Sequence, residues 1–120
     1  MDIESIRTYC LDKPGTTETF PFGDEVLVFK VMDKMYLLTN LERVPLSVNL
    51  KCEPAKALDL RAQYDAVQPG YHMNKKHWNT VTLNGDVPSP VLQAWIDDSY
   101  ALVVSKLRKS DRDALAAGSF

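Results

Sequence analysis

The sequence is poor in cysteine and has no long apolar run, and both absences exclude whole classes of protein. Its two cysteines, Cys10 and Cys52, lie far apart and belong to no C-x-x-C pattern, so neither a disulfide framework nor a zinc finger is indicated. No apolar segment approaches the roughly 20 residues that a membrane-spanning helix needs. Met1 is not followed by a basic and then apolar leader, as a secretory signal would require. We therefore expect a cytoplasmic protein with reduced thiols.

The chain also lacks an excess of basic charge and the common catalytic signatures. Lysine and arginine number 14 against 16 aspartates and glutamates, whereas nucleic-acid-binding domains are often strongly basic. The sequence contains no P-loop, no G-x-G-x-x-G, no G-x-S-x-G and no H-E-x-x-H motif. Its 45% hydrophobic and 25% charged residues are typical of a globular domain. We predict a single domain over residues 1–120, with no enzymatic activity, no metal and no cofactor.

Basic residues are nevertheless distributed unevenly along the chain. The window from Ala66 to Gly85 contains Lys75 and Lys76 and no carboxylate, and a second acid-free window runs from Ser99 to Ser110. A local positive patch can steer an anionic partner, because its field acts within a Debye length of about 8–10 Å. The alternative is that both windows are solvated surface.

The first half of the chain predicts a helix followed by three strands. Asp2 is placed to cap a helix from Ile3 to about Leu11. The segments "EVLVFKV" and "KMYLLT", which flank Met32-Asp33, are rich in β-branched and aromatic residues and predict an antiparallel hairpin. In "PLSVNLKC", apolar and polar residues alternate, which is the pattern of a half-buried strand.

A helix and a second hairpin are predicted next. Pro54 opens the helical segment "PAKALDLRAQYDA", and "QPG" ends it. One face of this helix is formed by Ala55, Leu58 and Ala62. The second hairpin comprises Tyr71–Met73, a turn at Asn74–Lys76 and the returning strand "HWNTVTL".

The remaining sequence predicts a long helix that covers the sheet. Ser89 is the expected cap and Pro90 the first helical residue, and an apolar stripe at helical spacing follows, from Leu92 to Val103. Residues from about 108 to 120 predict a short terminal helix with Ser110 in a capping box. The predicted fold class is therefore α+β, a two-layer α-β3-α-β2-α domain with an antiparallel sheet packed by helices.

Five segments together resemble one known family. They are "PGTTETFPFG", "FKVMDKMYLL", "LSVNLKC", "YDAVQPGYHMNKKHWNTV" and "LNGDVP", and they follow one another in order along the chain. On these segments the sequence is identified as a member of the MmcQ/YjbR family. The resemblance implies a small cytoplasmic bacterial domain, similar in topology to type III secretion chaperones. It also implies DNA binding by a double wing, in which hairpins flank the nucleic acid, and no catalytic residue set, metal or cofactor.

The predicted wing is the hairpin from Tyr71 to Val81, whose composition suits nucleic acid. Lysines at its tip can meet phosphate oxygens, polar side chains can donate hydrogen bonds, and an indole offers a flat face for stacking. The predicted DNA-binding residues are His72, Lys75, Lys76, His77, Trp78 and Asn79, with Lys30 and Lys34 from the first hairpin.

Other roles for these residues stay open. Trp78 can instead anchor the hairpin to the core, with His77 and Asn79 fixing the turn. His72 and His77 can form a zinc or small-molecule site if the fold supplies further ligands.

The alternative to DNA binding is a protein-interaction or chaperone-like module. Such a module would use an exposed sheet face or the apolar loop Phe20-Pro21-Phe22. Under either hypothesis we expect a monomer or a weak dimer.

Overall fold

Six strands and four helices make up the part of the chain that the computed structural model describes, residues 1–71 and 73–120. The helices are α1 (Ile3–Leu11), α2 (Pro54–Gln63), α3 (Ser89–Ser105) and α4 (Lys109–Ala116). The strands are β1 (Thr16–Thr19), β2 (Val26–Val31), β3 (Lys34–Asn40), β4 (Ser47–Lys51), β5 (Val67–Pro69) and β6 (Trp78–Thr82). They form one antiparallel sheet in the order β1-β2-β3-β4-β6-β5. None of the described helices is both long and apolar enough to cross a membrane.

The predicted α+β class with an antiparallel sheet is confirmed, but two strands differ from the prediction. The four residues of β1 are all polar, so no apolar pattern marks them, and they pair with β2 at one edge of the sheet. The second hairpin starts at Val67–Pro69 and not at Tyr71–Met73, which belongs to the β5–β6 connection. Pro69 is tolerated because β5 is the other edge strand, where a backbone N–H can be dispensed with.

All four helices pack on the same face of the sheet. The main cluster of buried residues combines strand residues such as Phe29 and Val48 with residues of α1, α2 and α3, and Leu115 of α4 packs against it. The predicted stripe of α3 is confirmed: its buried residues are Leu92, Trp95, Ile96, Ser99 and Val103. This helix therefore lies across the middle of the sheet, as the apolar spacing requires.

The helix ends are only partly those that the sequence predicts. Asp2 caps α1 in a capping box, because its carboxylate accepts the Ser5 N–H at 2.8 Å. In contrast, α3 and α4 begin after Pro88 and Arg108 without a side-chain cap hydrogen bond, so the predicted caps Ser89 and Ser110 are wrong.

The buried face of α2 also differs from the predicted one. The face formed by Ala55, Leu58 and Ala62 is exposed, and the buried residues are Ala57 and Leu60. Both of these faces of α2 are short and alanine-rich, so helical periodicity alone does not predict which one is buried. Arg61 follows Leu60 and also faces the sheet, since its guanidinium is hydrogen bonded to Asn79 and to the Trp78 carbonyl of β6.

A β-bulge in β3 interrupts the centre of the sheet. The pairing of β2 with β3 passes from Phe29↔Leu37 to Lys30↔Met35, so Tyr36 is an extra residue with no partner in β2. At a bulge of this kind the alternation of side chains is broken. As a result Tyr36 and Leu37 are both fully buried in the helix-side core.

The hydroxyl of Ser99 bridges the strands where the bulge separates them. Registered pairs between β3 and β4 are confined to Leu37↔Leu50 and Leu38↔Asn49. Beyond them, Ser99 Oγ donates to the Tyr36 carbonyl at 2.6 Å and accepts the Lys51 N–H at 2.8 Å. One side chain of α3 thus satisfies a backbone acceptor of β3 and a backbone donor of β4.

We expect Ser99→Ala to lower the free energy of unfolding by about 1–3 kcal/mol, because it leaves the Tyr36 carbonyl and the Lys51 N–H without their partner. Urea denaturation followed by tryptophan fluorescence measures the change. Ser105→Ala is the control, since Ser105 is exposed on the same helix and its loss should change stability by no more than about 0.5 kcal/mol. Equal unfolding midpoints for the two variants would contradict the bridging role of Ser99.

Candidate functional site on the open sheet face

None of the helices formed by residues 1–71 and 73–120 lies on the second face of the sheet. A separate cluster of buried residues lies there, formed by Val28, Leu38 and Trp78 and packed by Val26, Met35 and Met73. None of these residues is helical. We call this side the open face, and along it the strands also present polar side chains such as Asn49 and Thr80.

Lysines from three connections meet at one end of the sheet. The pairs Leu37↔Leu50 and Lys51↔Trp78 place the start of β3, the end of β4 and the start of β6 at the same end, and the Cys52 N–H continues the ladder to the His77 carbonyl at 2.8 Å. We call this group the basic end; it consists of Lys30, Lys34, Lys51, Lys75 and Lys76.

The acidic residues in these connections do not neutralise the basic end. Asp33, in the β2–β3 turn, lies 3.7 Å from Lys30 Nζ, and Glu53 follows β4. Lys34, Lys75 and Lys76 are exposed and make no ion pair with the described residues. Five lysines therefore oppose two carboxylates here, on a protein whose formal net charge is -2.

Arg61 of α2 holds the loop that carries Lys75 and Lys76. Its guanidinium donates to the Lys75 carbonyl, to Asn79 Oδ1 at 2.7 Å and to the Trp78 carbonyl at 3.3 Å. An arginine fork that makes three hydrogen bonds fixes both position and orientation. These hydrogen bonds anchor the β5–β6 loop to α2.

Gly70 holds the other end of this loop against β6. Its N–H donates to the Trp78 carbonyl at 2.8 Å, and a Cβ at this position would lie 2.8 Å from Trp78 Cβ. Only glycine allows the backbone to approach so closely.

Two of the predicted DNA contacts are structural residues. Trp78 is 8% exposed and packs in the open-face cluster. Asn79 is 2% exposed, accepts from Arg61 and donates to the Ala57 carbonyl at 3.4 Å. Their predicted stacking and hydrogen bonding to nucleic acid are therefore corrected: the large ring and the amide are used to hold the hairpin on the core.

The predicted histidine pair is only partly described. His77 is half-buried, and its backbone closes the turn by donating to the Asn74 carbonyl at 3.1 Å. His72 lies outside the described residues. A joint site of the two histidines stays a prediction.

Two residues of the site are missing from the sequence-based prediction. Lys51 occupies a polar position of the alternating strand "PLSVNLKC", and only the sheet order places it between the two hairpins. Arg61 is spaced to pair with Asp65, yet its hydrogen bonds go to the β5–β6 loop and β6. Neither role has a local signal in the sequence.

The thiols are not activated. Cys10 is fully buried, and burial raises the pKa of its thiol to about 11; burial also raises the pKa of the Cys52 thiol. Because the thiolate is the nucleophile and the metal ligand, a raised pKa disfavours both roles. Across residues 1–71 and 73–120, no three His, Cys, Asp or Glu side chains are grouped to hold a metal ion.

This geometry defines the class of the protein. It is a two-layer α+β domain whose helices cover one face of the sheet and whose basic hairpin ends lie at one end of that sheet. The family model YjbR matches residues 11–102. The chain is 38% identical over 116 residues to the uncharacterised protein YbdF of Escherichia coli O157:H7, covering 96% of this chain and 94% of that protein. It is 34% identical to the uncharacterised protein YjbR of Escherichia coli K12, covering 96% and 98%. The chain belongs to the YjbR family.

Solved structures agree with this assignment. A crystal structure of a Deinococcus radiodurans protein, described as a DUF419 domain, superposes with a TM-score of 0.89 at 43% identity and covers 95% of this chain and 87% of that one. A Pseudomonas syringae protein superposes with a TM-score of 0.74 at 29% identity, covering 85% and 98%. The resemblance inferred from the five sequence segments is therefore confirmed.

We expect Arg61→Gln to lower the free energy of unfolding by about 1–3 kcal/mol, because the buried Asn79 amide loses its charged partner. Faster amide hydrogen exchange at Lys76, His77 and Trp78, whose N–H groups are bonded to Asn74, should accompany the loss. Arg112→Gln is the control, at an exposed position of α4. If exchange in the loop is the same in both variants, Arg61 does not anchor it.

Proposed function

We propose that this protein binds DNA through the basic end, and that it acts by binding and not by catalysis. The observation that supports the proposal is the convergence of five lysines from the β2–β3 turn, the end of β4 and the β5–β6 loop on one end of the sheet. Two hairpin ends thus contribute, as in the wing arrangement that the family resemblance implies. Free, buried Cys10 and Cys52 support the predicted cytoplasmic location.

The dimensions of the basic end suit a nucleic-acid backbone. It extends from β2 across β3 and β4 to β6, which is three strand spacings or about 14 Å. Each nucleotide of a DNA strand carries one negative charge, so lysines spread over this distance can face a short run of successive phosphates. Lysine serves as a point charge in such contacts and needs no fixed geometry.

The same geometry argues for binding that does not read sequence. The indole of Trp78 and the amide of Asn79 are buried, so neither offers a base contact, and the exposed groups are ammonium groups that meet phosphates. Phosphate contacts position a protein without specifying a sequence. We therefore infer weak, salt-dependent binding that tolerates different DNA sequences.

We expect Lys75→Glu/Lys76→Glu to abolish most of the affinity for DNA. Each phosphate contact contributes about -0.9 to the slope of log K against log salt on duplex DNA, so the loss of two contacts should reduce the slope by about 1.8. Fluorescence anisotropy of a labelled duplex, measured from low to physiological salt, gives both quantities.

The matched control is Lys106→Glu/Arg112→Glu, which makes the same change of net charge at exposed positions at the end of α3 and in α4, on residues that are not part of the basic end. Both double variants should have the melting temperature of the wild type. An equal loss of affinity in both would mean that net charge alone is responsible, and no binding by the wild type at low salt would refute DNA binding.

A second candidate, a protein-interaction or chaperone-like module, is favoured by a different observation. At the end of the sheet opposite the basic end, the β1–β2 and β3–β4 connections expose apolar side chains. These are Phe20 (46%), Phe22 (60%), Leu41 (39%) and Val44 (92%). Exposed apolar groups that are close together are typical of a protein contact, and a second copy of the chain is the partner we infer.

If this candidate holds, sedimentation equilibrium should show a mean mass that rises with protein concentration for the wild type. Phe20→Ser/Val44→Ser should restore a constant monomer mass, because it removes two exposed apolar groups from that end. Leu58→Ser is the control, since Leu58 is 63% exposed on α2 and should not matter. A wild type that is monomeric at all concentrations excludes self-association through this end.

A further inference from the structure

A groove of about 340 Å³ lies in the middle of the open face. Its volume is at the lower end of the range of ligand pockets, about 300–1,000 Å³. The apolar part of its lining is formed by Phe22, Val26, Met35, Leu38, Tyr71 and Met73. A flat apolar group therefore has a floor from β2 and β3 and walls from two loops.

Two side-chain acceptors in the polar part of the lining, Thr80 Oγ1 and Asn49 Oδ1, are already in use. The Tyr71 N–H donates to Thr80 Oγ1 at 2.9 Å, so the Thr80 hydroxyl donates in turn to Asn49 Oδ1 at 2.6 Å. The Asn49 amide group donates to the Leu38 carbonyl at 3.4 Å, and its second N–H has no partner among the residues that the structure describes. The first group in this series of hydrogen bonds is the Tyr71 N–H, which can only donate. It therefore fixes the direction of the hydrogen bonds that follow.

The side-chain amide of Asn40, like that of Asn49, is oriented by a hydrogen bond that its oxygen accepts. Its Oδ1 accepts the Glu42 N–H at 3.0 Å, so its NH₂ group is left to donate. Both asparagines thus have side-chain N–H groups available in the groove, which suits a ligand that presents oxygen acceptors.

Arg43 is the charged side chain among the described residues of the lining. Its guanidinium lies 5.2 Å from the centre of the Tyr71 ring, and no carboxylate of residues 1–71 or 73–120 forms a salt bridge with it. A guanidinium that is stacked on a ring keeps its N–H groups in the plane and can bind a carboxylate with two hydrogen bonds.

We propose that the groove binds a small carboxylic acid with a flat apolar body. The body would lie on Val26, Met35 and Leu38, and the carboxylate would accept hydrogen bonds from Arg43, Asn40 and Asn49. Small-molecule sites combine an apolar surface with a few convergent polar groups, and the groove has both.

The charges around the groove restrict the ligand to a single negative charge. Asp24, Glu25 and Glu42 are neighbours of the lining in sequence but do not line it. Their field opposes a polyanion, while the short-range contact with Arg43 favours one carboxylate. The site therefore differs in chemistry from the basic end and does not depend on DNA binding.

The test is an NMR titration of the folded protein with naphthoate, an aromatic carboxylate. We expect shifts confined to the groove, at the side-chain amides of Asn40 and Asn49 and the methyl group of Met35. Naphthamide, which has the same ring and no charge, should bind about tenfold more weakly, because a charge-assisted pair with Arg43 is lost.

Two variants assign the donors. Arg43→Gln removes the charge, and Asn40→Asp keeps the acceptor for the Glu42 N–H while it replaces the donor by a negative group. Each should weaken naphthoate binding about tenfold, and neither should change binding of naphthamide as much. Lys76→Gln, in the basic end, should leave naphthoate binding unchanged, so that failure of the DNA proposal is separable from failure of this one.

Shifts at these groove residues with that order of affinities support the proposal. No shift, or shifts elsewhere on the protein, would overturn the site. Equal affinity for naphthoate and naphthamide, unaffected by Arg43→Gln, would overturn the assignment of a carboxylate ligand.

Discussion

The hydrogen bonds of Ser99 are the contact on which the arrangement of this sheet depends. The bulge at Tyr36 turns two successive side chains toward the helices, and it leaves β3 and β4 with few registered pairs. A buried backbone group without a partner is costly, so the divergence of the strands is tolerable only because α3 supplies a hydroxyl between them. The helix is thereby fixed in register on the sheet, and the ends of β3 and β4 are fixed with it.

The sheet divides the molecule into a closed face and an open face with different chemistry. On the closed face, helices cover the apolar side chains, and the polar contacts there are those that hold elements together, such as Arg61 with Asn79. On the open face the small cluster around Leu38 and Trp78 is packed by Val26, Met35 and Met73, none of which is helical. Positive charge is placed at one end of this face and exposed apolar groups at the other, with the groove between them. The proposed binding activities therefore fall on the side that the four described helices leave uncovered.

The success of sequence reasoning followed the strength of the local signals. The hairpin of β2 and β3 and the stripe of α3 are long and strongly patterned, and both were predicted at nearly their observed bounds. The strand β1 is entirely polar and was missed, because it is held by pairing with β2 and not by a buried side chain. The face of α2 was predicted wrongly, because its few apolar residues lie on both sides of the helix and periodicity alone does not choose between them. For the candidate site, the exposed Lys75 and Lys76 were predicted, and of the two roles left open for Trp78 the structure has the anchoring one.

By itself the sequence determined the family, the α+β class and most of the helices and strands, since these follow from local periodicity, from turn residues and from five characteristic segments. Tertiary structure alone decided which residues share a surface. Lys51 joins Lys34 and Lys76 because of sheet order and register, and Arg43 meets Tyr71 because two loops close over the same groove. These residues are brought together by pairing between strands that are distant in sequence, and no spacing along a single strand or helix records such pairing.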